Sequence, residues 1–250
     1  MKNIAVIFAG GVGSRMGSKI PKQFLEIYGK PIIVHTLEKF QYNDRIDDIY
    51  IGCKKGYINL LKGFIQKYNL TKVKDDYIIE GGKTGLETIY KLLIKVKSNN
   101  EDAVVLIHDG VRPNITDSVI NKNIDSVLKY GNAITCISTF ETPIFSNDGN
   151  SVDKCFDRNK VYMAKAPQSF KLIDILEAYE KIKYESEDFN IDGVVDSCSV
   201  ALKSNMKLNM VYGNRDNIKV TSSNDYIDIL GKMIAVDYGN FLELESKKEG

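Results

Sequence analysis

The run Ala103-Val104-Val105-Leu106-Ile107 limits the possible folds more than any other stretch of the chain. Five consecutive apolar residues leave no polar face, so a strand made of them has to be covered on both sides, as in a parallel sheet. The surrounding sequence has the matching rhythm, with short apolar runs alternating with helical stripes. Lys2 to Phe8 reads as a first strand, and Pro31 opens a helix carrying Ile32, Ile33, Thr36, Leu37 and Phe40 on one stripe. Ile49–Cys53 reads as a strand, Tyr57–Tyr68 as a helix, Tyr77–Ile79 as a short strand, and the stripe Leu86, Ile89, Tyr90, Leu93, Val96 as another helix. Thr116 is expected to cap a helix holding Val119, Ile120, Ile124, Val127 and Leu128, and Ala133–Ser138 reads as a further strand. The expectation is an α/β fold, a Rossmann-like, mostly parallel sheet with helices on both faces.

The alternation stops at about Thr139. The turn signal Asn147-Asp148-Gly149-Asn150 lies between extended segments and predicts a protruding β-hairpin arm over about 139–166. Helical spacing resumes at Leu172–Ile182, a last strand is expected at Leu208–Tyr212, and a helix begins near Ser223 and leads to a polar tail. The 250 residues suit a single domain carrying that arm, with no internal repeat and no linker.

The formal net charge is +1 and the lysines are spread along the chain, so bulk charge favours neither nucleic acid nor a membrane surface as partner. An acidic ligand would have to be held by local cations. No run has the length of a membrane-spanning helix, and the apolar part of Met1–Phe8 is too short for a signal peptide. Cys53, Cys136, Cys155 and Cys198 are far apart, and the only histidines are His35 and His108, so a zinc site is not expected and a cytoplasmic, reducing location is.

The first strand–helix junction carries the chemistry. It reads Ala9-Gly10-Gly11-Val12-Gly13-Ser14-Arg15 and continues through Pro21-Lys22. Glycines let the backbone approach a ligand and turn N–H groups toward phosphate oxygens, while Arg15 and Lys22 could neutralise a triphosphate. A dinucleotide site is the rival reading, since Gly11, Gly13 and Gly17 come near its fingerprint. That reading needs an acid at the end of the second strand, where this chain has Ile51-Gly52-Cys53-Lys54. A nucleotide-binding domain without catalysis is a third reading. Asp109, directly after the apolar run and His108, stands at a strand's carboxyl end, where α/β sheets bind ligands and a carboxylate can hold Mg²⁺.

The glycine loop, the stretch Pro21–Phe40 and the blocks His108–Pro113, Ala166–Phe170 and Asp216–Thr221 occur in order over nearly the whole chain. Together they resemble the methylerythritol-phosphate and ribitol-phosphate cytidylyltransferase family, and the Pro21–Phe40 and Pro-Gln-Ser-Phe stretches are nearer the ribitol type. The resemblance implies transfer of CMP from CTP to a polyol or sugar phosphate, with Mg²⁺ and a homodimer. D-ribitol 5-phosphate is the first choice of acceptor and 2-C-methyl-D-erythritol 4-phosphate the alternative. It further implies that Arg15, Lys22 and Lys219 stabilise phosphate charge, and that Asp109 and Asp216 hold metal. Ala9, Gly10, Gly11, Gly13, Gly81, Gly82, Lys83 and Thr88 would bind the nucleotide, Thr88 by recognising the base. Arg112, Thr142 and Arg158 would reach the acceptor, Arg112 across a dimer interface and the other two from the arm of a second subunit. Two positions depart from the family pattern: Gly85 replaces an arginine, and Ala166 replaces a threonine before proline.

Overall fold

A computed structural model gives the fold and describes residues 1–11, 20–186 and 188–246, with side chains described as far as 235. In chain order the elements are β1 (Lys2–Ala9), β2 (Glu26–Ile27), β3 (Lys30–Pro31), α1 (Ile32–Gln41), β4 (Asp48–Cys53), α2 (Ile58–Lys67), β5 (Ile78–Glu80), α3 (Gly85–Asn99) and β6 (Ala103–Asp109). There follow α4 (Asp117–Tyr130), β7 (Asn132–Ser138), β8 (Ile144–Phe145), β9 (Lys154–Cys155), β10 (Tyr162–Lys171), α5 (Leu172–Glu185), α6 (Ser197–Lys203), β11 (Met210–Tyr212) and α7 (Ser223–Ser246).

Seven strands form one sheet in the order β11-β7-β10-β6-β1-β4-β5. β1 pairs parallel with β4 and β6, β4 with β5, and β11 with β7, while β10 runs antiparallel between β6 and β7. The alternating side chains of each strand divide between two cores. On one face Ala5, Ile7, Val104 and Leu106 meet Val34 and Leu37 of α1 and Ile120 and Ile124 of α4. On the other, Ile4, Val6, Val105 and Ile107 meet Leu92 and Leu93 of α3 and Ile175 and Tyr179 of α5. β6 is buried over its whole length, as its apolar run demands. α4 stops at Gly131, whose φ of 87° is the left-handed helix end that glycine adopts without strain. Thr116 occupies the capping position of α4, but its side chain makes no cap hydrogen bond.

Two features depart from the sequence reading. The segment 162–166, assigned to the arm, is the first half of β10 and belongs to the central sheet. Its register against β7 shifts between Ala164 and Gln168. The arm proper is the two-stranded hairpin of β8 and β9, which share only two residue pairs. The short helix α6 was not legible and is fixed by a capping box between Asp196 and Ser199. Among the described residues no helix is long and apolar enough to cross a membrane.

Candidate active site

β1, β4 and β6 end side by side, with Ala9 opposite Cys53 and Phe8 opposite Asp109. Above these ends opens a cavity of about 630 Å³, lined by Ala9, Gly10, Gly11, Lys22, Gly81, Gly82, Lys83, Asp109 and Lys219 among others. Among the described residues its wall carries six lysines (Lys54, Lys55 and Lys91 besides those named) against Glu80, Glu87 and Asp109. An excess of cations around a concave, partly desolvated space favours a polyanion. Gly13 and Arg15 lie outside the described residues.

The strand ends are held close by glycine and by one threonine. A Cβ on Gly81 would come within 3.3 Å of the Cys53 carbonyl oxygen and of Gly10 Cα, and one on Gly82 within 2.5 Å of the Glu87 side chain. Thr88 completes the clamp, because its Oγ1 accepts from Gly82 N at 2.9 Å and donates to the Thr84 carbonyl at 2.8 Å. The residue is only 1% exposed and does not line the cavity. Here the hydroxyl serves the fold, shaping the Gly81–Lys83 turn from behind.

Gln23 was not singled out in the sequence, yet it is 1% exposed and its amide donates to the Ala9 carbonyl at 2.6 Å. It fastens the short helical turn Lys22–Phe24 to the end of β1, which is how Lys22 comes to face the cavity. Only its place beside Pro21-Lys22 could have drawn attention to it.

Asp109 forms the floor. One carboxylate oxygen accepts from Arg112 Nε at 2.6 Å, and the other meets Lys219 Nζ at 2.5 Å. Burial alone would raise the carboxyl's pKa, but the Arg112 and Lys219 cations outweigh it and hold the group at about 2. Arg112 is tied to its own chain, since Nη1 also donates to the Asn217 carbonyl at 2.9 Å. Asn217 donates in turn to the Ala166 carbonyl at 2.6 Å, and Val220 N to the Val111 carbonyl at 2.9 Å. These bonds dock the segment Asp216–Thr221 against the turn after β6 and against β10, and bring Lys219 to Asp109. Asp225 stiffens the far end by accepting from the backbone N–H and hydroxyl of both Thr221 and Ser222. His108 is buried edge-on against Phe40, and burial takes its pKa down to about 3, so it stays neutral.

A second cavity, about 730 Å³, opens on the other side of Asp109. Arg112, Ala164 to Ala166 and the segment around Asp188–Ser197 contribute to its wall. Phe8, Lys83, Thr84, Gly85, Asp109 and Lys219 line both cavities, so the two spaces meet at the Lys219–Asp109 pair. Gly85 keeps that junction open, for even a Cβ there would have only the Phe8 ring nearby, at 3.9 Å.

Besides Thr88, three sequence-predicted residues among those described are not brought to either cavity. Asp216 pairs with Lys232 of α7 and lines neither space. Thr142 and Arg158 sit exposed on the arm, where Arg158 donates to the Phe140 carbonyl of the same chain at 3.2 Å. Of the two carboxylates expected to hold metal, Asp109 is the one that lines the cavities, and a carboxylate there could hold Mg²⁺, which takes one or two protein carboxylates and fills its shell with phosphate oxygens and water.

Residues 3–230 match the family model described as 2-C-methyl-D-erythritol 4-phosphate cytidylyltransferase. The ribitol-5-phosphate cytidylyltransferase of Streptococcus agalactiae serotype V is 43% identical over 228 residues, covering 90% of this chain and 92% of that protein. The protein of the same name from Vibrio parahaemolyticus is 44% identical over 226 residues, covering 90% and 92%. Among solved structures, the 4-diphosphocytidyl-2C-methyl-D-erythritol synthase of Anaerococcus prevotii superposes with a TM-score of 0.78 at 26% identity, covering 93% of this chain and 96% of that one.

Proposed function

The chain belongs to the 2-C-methyl-D-erythritol 4-phosphate cytidylyltransferase family, and from that premise we propose that it transfers CMP from CTP to a polyol phosphate, D-ribitol 5-phosphate. The observation that carries the reading is the junction at Lys219 and Asp109. A cation-rich cavity suited to a triphosphate meets a second cavity there, so two phosphate-bearing substrates can face each other. Ribitol is favoured as the acceptor because relatives sharing 43–44% identity across nine-tenths of the chain bear that name.

In the reaction an oxygen of the acceptor's phosphate attacks the α-phosphorus of CTP in line, the bond to the β-phosphate oxygen breaks, and pyrophosphate leaves. The nucleophile is already an anion, so no side chain has to take a proton. Neutral His108, buried behind the site, is not needed as a base. Catalysis is then positioning and charge stabilisation. Lys22 and Arg15 neutralise the triphosphate, and Lys219 stands where charge builds on the transferring phosphate. Asp109 orients Lys219 and Arg112, and would hold Mg²⁺, which when bound supplies further charge neutralisation on the phosphates. The reaction is placed in the cytoplasm, with small molecules and neither nucleic acid nor membrane as partners.

The direct test is pyrophosphate release from CTP with a panel of acceptors. D-ribitol 5-phosphate is expected to give the highest kcat/KM and 2-C-methyl-D-erythritol 4-phosphate a lower one. Reversed preference would assign the alternative acceptor, and no release with any acceptor would remove the transfer reaction.

The proposal includes a homodimer. Phe140, Ile144, Phe145 and Val152 are about half exposed or more on the arm, and a hairpin with two residue pairs has no stability of its own. Packed on a second copy, the arm would bury this surface and deliver Thr142 and Arg158 to the partner's acceptor. Mixing an Arg158→Ala protein with a Lys22→Ala protein tests the idea. In a mixed dimer one site collects both defects and the other none, so activity should return to about a quarter of wild type after random exchange. Mixed dimers that stay inactive would place Arg158 in its own subunit's site or in none.

A further inference from the structure

Lys165 lies in the irregular stretch of β10 where the register against β7 shifts, flanked by Ala164 and Ala166, and all three line the second cavity. It is half-buried, and among the described residues it has no ion pair. The carboxylates of the same wall are directed elsewhere. Asp109 gives one oxygen to Arg112 and the other to Lys219. Asp196 accepts from Gln168 Nε2 at 2.7 Å through Oδ2 and from Ser199 N at 2.9 Å through Oδ1. Asp188 accepts from Ser186 and Asn190 within its own loop. A long cationic side chain is thus partly removed from water beside Arg112, with no anion supplied by these elements. Burial first, and then the nearby Arg112 and Arg215 cations, push its pKa below the usual lysine value. Such a cation is stabilised when a ligand brings the missing charge.

We infer that Lys165 is a binding residue for the acceptor, holding its phosphomonoester together with Arg112 from within the same subunit. This rests on the proposed transfer reaction for the identity of the acceptor, and adds to it the cation that selects a phosphorylated polyol over a free one. The ammonium would contact non-bridging oxygens and leave the attacking oxygen turned toward the Lys219–Asp109 junction.

The test uses the full-length dimerisation-competent chain as wild type, Lys165→Met and Lys165→Arg. Lys165→Met is expected to raise the KM for D-ribitol 5-phosphate by about ten- to a hundred-fold, the span for one hydrogen bond to a charged group, with the KM for CTP unchanged within about twofold. Lys165→Arg, which keeps the charge, is expected to recover most of the loss. Calorimetric titration supplies a readout that needs no turnover: D-ribitol 5-phosphate should bind the wild type more tightly than Lys165→Met, and free ribitol should not distinguish them. Equal affinity of the phosphate ester for both proteins overturns the inference, as does an equal rise in both KM values. Tight, Lys165-dependent binding without pyrophosphate release would leave the inference standing and remove the transfer reaction. A wild type that binds no polyol phosphate removes both.

Discussion

Replacing Lys219 with methionine is expected to lower turnover by about a hundred-fold or more while the protein stays folded. The size follows from what one charge-stabilising donor is worth at a site of developing charge, about 3–4 kcal/mol. The place follows from the geometry. Lys219 lines both cavities and meets Asp109 at their floor, delivered by a segment whose backbone is docked through Arg112, Asn217 and Val220 rather than through the lysine side chain. Its side chain remains 41% exposed, so the substitution deletes charge without opening a core. The same scale is expected for Lys22→Ala. Rapid-quench measurement of the chemical step, beside circular dichroism, separates the outcomes. A variant with near-normal chemistry and an intact fold would take Lys219 out of the mechanism.

Asp109→Asn is expected to damage activity and stability together. Asparagine can accept from one of the two cations but turns an amide N–H₂ toward the other, and it leaves the buried Arg112 guanidinium without its counter-charge. Removing one partner of a buried pair costs about 3–5 kcal/mol, and the loss of Lys219's anchor adds a fall in turnover on the scale of the lysine's own removal. Whatever activity remains should lose its Mg²⁺ response. The pH dependence has a defined sign. The Asp109 carboxyl titrates at about 2 in the folded protein and near 3.9 unfolded, so its contribution is fully present above about pH 4 and fades as pH falls toward 2. Denaturant unfolding across that window should show the acid slope in the wild type and a shallower one in the variant. Identical slopes and midpoints would mean that the pair with Arg112 contributes nothing to the fold.

The parts of this fold that a reader of the sequence could find are those written in local pattern. The apolar run of β6, the stripes of α1 to α5 and the glycines after β1 declare themselves within a dozen residues. β10 does not. Its central stretch, Lys165-Ala166-Pro167-Gln168-Ser169, looks like a loop because its buried polar groups are satisfied only from afar: Gln168 by Asp196 and the Cys198 N–H, Ser169 by Asn123. The same reasoning applies to Thr88 and Asp216, whose side chains are engaged by the folded chain itself. A threonine near a glycine turn can aim its hydroxyl at a ligand or at its own backbone, and Thr88 chooses the backbone because Gly82 N and the Thr84 carbonyl flank it in the folded helix start. Asp216 stands three residues before Lys219, but Lys232 of α7 draws it away from Asp109. Lys165 was invisible for a further reason, since only the folded sheet sets it beside Arg112.

β10 also imposes an order on the chain as it is made. β6 and β7 are consecutive strands of the sheet in sequence, yet they never touch as neighbours, because the strand between them is translated only after the whole arm. Until residues 162–171 exist, each presents an open edge of unpaired N–H and C=O groups, one of the hazards that chains at the ribosome must manage. The keystone of the sheet is therefore a late arrival. It comes with the arm already attached to one end and the wall of the acceptor cavity built into its middle, so closing the sheet, projecting the arm and walling the second cavity are a single event in the life of the molecule.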